Sequence, residues 1–187
     1  MKTRFVYQTL EDKDNPDEVE NSGPFLCSRK DAWLGEGYYF WESFLNNAHW
    51  WGKSTYPNGY IICKAAYVED EDKCLDLTKA EGIQVFNEVI PLMQAEGIYV
   101  PEETTVARII MYLRQIGHFA WDAAKVAAVN TKQRESEFNT RAIFKSKYPA
   151  YIDLCPAIQI CFYSKTALQL SGYKIIYPNE YVDGYAV

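Results

Sequence analysis

Strand-forming residues crowd both ends of this chain, whereas sustained helical periodicity is confined to its interior; that distribution restricts the fold more than any other feature. Phe5 to Leu10, Tyr38 to Trp41 and Tyr60 to Val68 are rich in aromatic and β-branched residues and read as strands. Ile158 to Tyr163 and Tyr173 to Tyr177 repeat the signal near the C-terminal end, and Leu75 to Leu77 is a short extended piece. From Thr78 onward Ile83, Phe86, Ile90 and Met93 form one helical stripe, which Pro91 is expected to break. A second helix is expected over Glu103 to Gln115, with Val106, Ile109, Ile110 and Leu113 facing inward; Pro101, Glu102 and Glu103 favour its N-terminus. Glu42 to Trp51 reads as a shorter helix carrying Phe44, Leu45, Ala48 and Trp51 on one face. Ala123 to Val129 fits a strand or a helix equally. The stretches 11–24 and 131–156 read as polar loop and mostly irregular chain. Strands bracketing helices give an α+β fold with an antiparallel or mixed sheet, in a single domain over 1–187.

Composition narrows the function classes. A hydrophobic fraction of 48% with 24% charged residues suffices for a real core. The net charge of −6 leaves no general basic footprint for duplex nucleic acid. Lys125, Lys132, Arg134, Arg141, Lys145 and Lys147 do crowd one stretch, for which a solvated, charge-mixed surface is the simpler reading. The five cysteines include no C-x-x-C pair, and Cys63, Cys74 and Cys161 lie in apolar runs where a thiol packs as a small hydrophobe. Neither a disulfide framework nor a metal site is expected. With no apolar leader and no membrane-length run, a soluble, cytoplasmic protein without a membrane partner is the expectation.

Hydrolase, P-loop and zinc-protease signatures are missing from the sequence, and Gly35-Glu36-Gly37 runs into aromatics rather than into the helix that a dinucleotide-binding Gly-x-Gly turn requires. His49 and His118 stand alone and read as ordinary packed or surface histidines. The distinctive segment is Trp33-Leu34-Gly35-Glu36-Gly37-Tyr38-Tyr39-Phe40-Trp41-Glu42. Its glycines allow positive φ or a close backbone approach, and its two tyrosines point to opposite faces of a strand. One ring can therefore pack in the core while the other faces a groove. On spacing alone, a tight turn into a buried aromatic strand is the simpler reading. Glu42 fits a helix start.

That segment, followed by Ala48 and Trp50-Trp51, resembles the Gly-x-Gly-x-Tyr-Phe stretch of the ADP-ribosyltransferase superfamily in its His-Tyr-Glu branch. It is closer still to a group of bacterial and phage proteins with a Trp-Leu-Gly-x-Gly-x-Tyr-Phe-Trp-Glu segment. Val6-Tyr7-Gln8-Thr9, Cys74-Leu75-Asp76-Leu77 and Ile158-Gln159-Ile160-Cys161 follow in the same order, so the resemblance spans most of the chain. It implies a split β-sheet and a toxin-like enzyme that uses NAD as substrate, without a metal, and transfers ADP-ribose to a protein, nucleic acid or small molecule. By the same resemblance Tyr39 stacks on nicotinamide, the Thr9 backbone binds the carboxamide, Gln8 takes the place of the ribose-binding histidine, and Gln159 that of the catalytic glutamate. Tyr7, Ser28 and Gly37 join the cofactor pocket.

Two departures bear on activity. An amide at position 8 can still bond ribose hydroxyls. An amide at position 159 is costlier, because cleaving the nicotinamide–ribose bond develops positive charge on the sugar. A charge-assisted hydrogen bond contributes about 1.5–3 kcal/mol against roughly 0.5–1.5 for a neutral one, a difference worth on the order of tenfold in rate. The resemblance therefore also admits a weakly active or inactive member that binds a nucleotide or a protein partner. Glu135-Ser136-Glu137 resembles the Glu-x-Glu pair of arginine-modifying transferases, with a solvated loop as the simpler reading.

Overall fold

In the computed structural model, which describes residues 2–128, 141–147 and 150–182, the chain order is β1 (Lys2–Glu11), α1 (Pro16–Ser22), β2 (Tyr38–Glu42), α2 (Leu45–Thr55), β3 (Tyr60–Glu69), β4 (Cys74–Asp76), α3 (Ala80–Ala95), α4 (Val106–Gln115), β5 (Ala123–Ala128), β6 (Arg141–Ile143), β7 (Tyr151–Asp153), β8 (Ala157–Phe162) and β9 (Ser171–Tyr177). Seven strands form one mixed sheet in the order β4-β5-β8-β2-β1-β3-β9; β4 and β5 run parallel and the remaining neighbours antiparallel. The fold is α+β, as expected from strands bracketing helices.

Several elements differ from expectation for identifiable reasons. The polar stretch 11–24 contains α1, started by Pro16 in its first turn with Asp17 and Glu18 beside it, and anchored by buried Val19. Helix α2 begins at Leu45 rather than Glu42, because Ser43 takes φ +65° and interrupts the chain there. Pro91 sits inside an unbroken α3. Val89 and Met93, on either side of it, pack with Ile109 and Leu113 of α4, and this burial outweighs a missing backbone hydrogen bond. Helix α4 starts only at Val106, where the Thr105 side chain accepts from the Arg108 N–H, three residues later than Pro101, Glu102 and Glu103 suggested. Ala123–Ala128 is a strand, and the stretch expected to be irregular carries the two-stranded hairpin β6–β7.

The sheet is covered on both faces. On one, α2 packs over Trp41, Tyr60, Ile62 and Ala157. Helices α3 and α4 cover Leu75, Ala124 and Cys161 on the same face. The opposite face buries Val6, Phe40, Tyr67, Ile160 and Phe162 beneath the 167–170 turn, with α1 over Ile61, Cys63 and Ile175. Alternation in the paired register puts Tyr7, Trp41 and Gln159 side by side on the first face. Tyr7 and Trp41 belong to the ground covered by α2, and Gln159 stands beside Trp41 and opposite Val126, which packs in the cluster under α3 and α4.

Two charged residues are corrected by their burial. Lys125 is not on a solvated surface: its side chain is 8% exposed, with Nζ 3.0 Å from Asp76, 3.6 Å from Glu42 and 3.7 Å from Glu69. Burial alone would lower its pKa, but the surrounding carboxylates raise it instead. Glu42 is no helix start; it closes β2, buried, accepting a hydrogen bond from the Tyr67 hydroxyl. Both placements follow from strand alternation, which aims these side chains at the interior of the sheet's second face.

Candidate functional site

Strand β1 pairs with β3 over all ten of its residues, but with β2 only at Val6–Glu42 and Tyr7–Trp41. Beyond Tyr7 the two strands part. The Ser43 N–H donates to the Phe5 carbonyl, so the odd-numbered backbone groups of β1 face β2. Thr9 is next in that series after Tyr7. Its N–H and C=O therefore face the split, where strand pairing has ended. On β2, the Tyr39 carbonyl faces the same opening and is met by the Gln8 amide at 3.3 Å, while Gly37 exchanges both backbone bonds with Cys27 at 2.8 and 3.2 Å.

A cavity of about 380 Å3 opens at this split. Of the residues expected to form a cofactor pocket, Tyr7, Gln8, Thr9, Ser28, Tyr39 and Gln159 line it, joined by Phe25, Arg29, Asp31, Trp41, Trp51 and Tyr56. Gly37 is not among them. Its place is set by packing, since an added Cβ would lie 2.3 Å from the Cys161 sulfur and 2.8 Å from the Phe162 carbonyl oxygen. The glycine that needs its conformational freedom is Gly35, at φ +85°.

The two tyrosines do point to opposite faces: Tyr38 packs against the Phe40 and Phe162 cluster, Tyr39 against Leu34 and Cys161. The Tyr39 hydroxyl accepts from the Leu34 N–H and donates to the Gly35 carbonyl, each at 2.7 Å. Ring and turn thus hold one another, and burial raises the phenol pKa far out of the physiological range. The hydroxyl is a structural group there. Only the ring is left for a ligand.

Gln8 is placed differently from a ribose-binding residue. Its side chain lies on the opposite face of β1 and is 5% exposed. The amide nitrogen donates to the carbonyls of Phe25 and Tyr39, at 3.0 and 3.3 Å. The amide oxygen accepts from the Phe25 N–H at 3.0 Å and from the Tyr173 hydroxyl at 2.8 Å. All four hydrogen-bonding positions of the amide are used within the protein. Thr9 likewise spends its hydroxyl on the Ala48 carbonyl of α2, at 2.9 Å, which leaves its backbone as the ligand-facing part.

Charge in the cleft is sparse. Among the described residues lining it, Arg29 is the one cation and Asp31 the one carboxylate, forked together at 2.9 and 2.8 Å, with the guanidinium 5.8 Å from the Trp51 ring centroid. Trp51, Trp41 and Tyr56 line the same cavity, and sequence reasoning had not placed Trp51, Tyr56 or Arg29 in the site. The pairing of α2 aromatics with a cation in the preceding loop was the available signal. Glu135 and Glu137 lie outside the described residues.

His49 is half-buried, with Nδ1 3.0 Å from the Tyr60 hydroxyl and its ring edge-on to Tyr177; His118 is exposed. A second cavity of about 300 Å3 lies over Glu69, Asp76 and Lys125, whose charges are paired with one another. The described residues include no group of His, Cys, Asp and Glu able to hold a metal ion, no disulfide among the cysteines, and no helix long and apolar enough to cross a membrane. Compared with protein-family models, with curated proteins and with solved structures, the chain matches none.

Proposed function

We propose that the cleft binds NAD by its nicotinamide end and that the protein is an NAD-dependent mono-ADP-ribosyltransferase. One observation carries this reading. The Thr9 backbone, the Tyr39 ring and Gln159, drawn from three separate strands, line one cleft opened by the parting of β1 and β2. An adjacent N–H and C=O complement a primary carboxamide, which offers one acceptor and two donors. A tethered aromatic wall suits the flat pyridinium ring. Arg29 supplies the positive charge that a diphosphate needs, exchanging Asp31 for it.

In this reading the bond between the nicotinamide nitrogen and ribose C1′ breaks heterolytically. Its electron pair stays on the departing nicotinamide, and the sugar passes through an oxocarbenium-like state before the acceptor attacks C1′. The Gln159 amide oxygen accepts a hydrogen bond from the ribose 2′-hydroxyl and stabilises that charge less than a carboxylate would. Transfer is accordingly slow.

A second reading, a nucleotide-binding module without turnover, is favoured by the fully engaged Gln8 amide and by the pairing of Asp31 with Arg29. Calorimetry with NAD, together with nicotinamide release measured in the presence of a cell lysate, separates the two. Binding with release supports the transferase, and binding without release supports the module. No binding rejects both. Gln159→Glu should raise release about tenfold if the first reading holds.

A further inference from the structure

We propose that the β6–β7 hairpin is a docking arm for single-stranded nucleic acid, a role beyond the nucleotide cleft. Among the described residues, strands β6 and β7 pair with each other alone and form a sheet separate from the seven-stranded one. Such a ribbon is marginal in isolation and gains from being covered. It is nevertheless dressed with apolar side chains that stand exposed among the described residues. Phe144 is 70% exposed, Ile143 64%, Leu154 52% and Ile152 50%. Among the described residues the other exposed large apolar side chains are more dispersed, with Phe5 on β1, Ile83 and Leu92 nine residues apart on α3, and Met111 on α4.

The hairpin's charge opposes that of the chain. Arg141, Lys145 and Lys147 stand against Asp153 within it, while the protein as a whole carries −6. Register puts Ala142 opposite Ile152 on one face, which Phe144 extends, and Arg141 with Tyr151 on the other, the guanidinium 4.6 Å from the Tyr151 ring centroid. Cations interleaved with exposed flat or apolar surface match a partner whose anionic groups alternate with flat, unstacked rings. Unpaired nucleotides have that chemistry. An acidic peptide offers the charge without the rings.

The arm's root is fixed beside the cleft. Asn47 of α2 donates to the Pro156 carbonyl at 2.9 Å, and the Cys155 N–H donates to the Asp153 carboxylate at 2.9 Å. Pro156 leads directly into β8, which carries Gln159 in the cleft floor.

Fluorescence anisotropy of a labelled 15-nucleotide oligothymidylate with the full chain tests the proposal. With about three phosphates neutralised, affinity should fall roughly tenfold between about 50 and 150 mM salt. The pair Phe144→Ser and Ile152→Ser should weaken binding about fivefold or more, and Arg141→Glu with Lys147→Glu should flatten the salt dependence. Unchanged melting temperatures in these variants, whose altered side chains are exposed, would show that folding is intact. Salt-independent or absent binding would overturn the proposal, as would equal binding by the variants. So would tighter binding to polyglutamate or phosphatidylserine vesicles than to the oligonucleotide, or sedimentation showing a dimer that Phe144→Ser dissolves. Because the probe contains no NAD, failure here leaves the nucleotide reading standing, and failure of NAD binding leaves the arm intact.

Discussion

Replacing Gln8 by alanine separates a structural from a ligand-binding role for this residue. Its amide makes four hydrogen bonds, to Phe25 N–H and C=O, to the Tyr39 carbonyl and to the Tyr173 hydroxyl. The residue is 5% exposed, so water cannot readily replace the lost partners. At about 1 kcal/mol for each bond, the substitution costs roughly 4 kcal/mol. A chain of 187 residues loses about 2–4 °C of melting temperature per kcal/mol, so Gln8→Ala should melt on the order of 10 °C lower. Gln8→Glu should recover only part of this, because a carboxylate accepts from Phe25 N–H and Tyr173 but repels the two carbonyls. The assay is thermal unfolding followed by circular dichroism, with NAD affinity measured at a temperature where both proteins are folded. A Gln8→Ala protein that melts within 2 °C of the parent yet loses NAD affinity would refute the placement of this amide.

Gly37→Ala should destabilise the fold by about 1–3 kcal/mol, since the new methyl overlaps the Cys161 sulfur and the Phe162 carbonyl; adding Cys161→Ala should restore part of the loss in chemical denaturation. Lys125→Met should cost about 3–5 kcal/mol by leaving Glu42, Glu69 and Asp76 gathered around a neutral side chain, and urea titration would detect it. Burial and the nearby Lys53 lower the His49 pKa below its ordinary value, so the unfolded chain takes up this proton first. The stability His49 contributes is thus present above about pH 6.5 and lost as pH falls through its folded pKa; His49→Gln should flatten the stability profile in that acidic window.

The strands and the α+β class were readable because their signals are local: β-branched and aromatic runs, and apolar stripes of helical period. The cleft was only half readable. Tyr39 and Gln159 could be proposed through their neighbours in sequence, but the parting of β1 from β2 is a matter of pairing between distant segments, which no single stretch encodes. Gln8 illustrates the difficulty. Its residue type suits a ribose hydroxyl, yet Val6 and Gln8 alternate onto the face away from Tyr7 and Thr9, and only the positions of Phe25 and Tyr173 reveal where the amide is spent. Lys125 was misread for a related reason, because a basic residue counted along the chain carries no sign of the three carboxylates that other strands bring to it. Pro91 was overweighted as a local breaker where the packing of Val89 and Met93 decides the outcome.

The parting of the two strands also leaves a spectroscopic mark. Along β1 the amides of Val6, Gln8 and Leu10 face β3 and those of Tyr7 and Thr9 face the other way, where Tyr7 still finds Trp41 and Thr9 does not. Deuterium uptake along one continuous strand should therefore be uneven, slow at positions 8 and 10 and fast at position 9 between them. That single fast amide is a built-in reporter: a carboxamide seated in the cleft would slow it selectively, while a ligand held only by stacking would leave its exchange rate where it was.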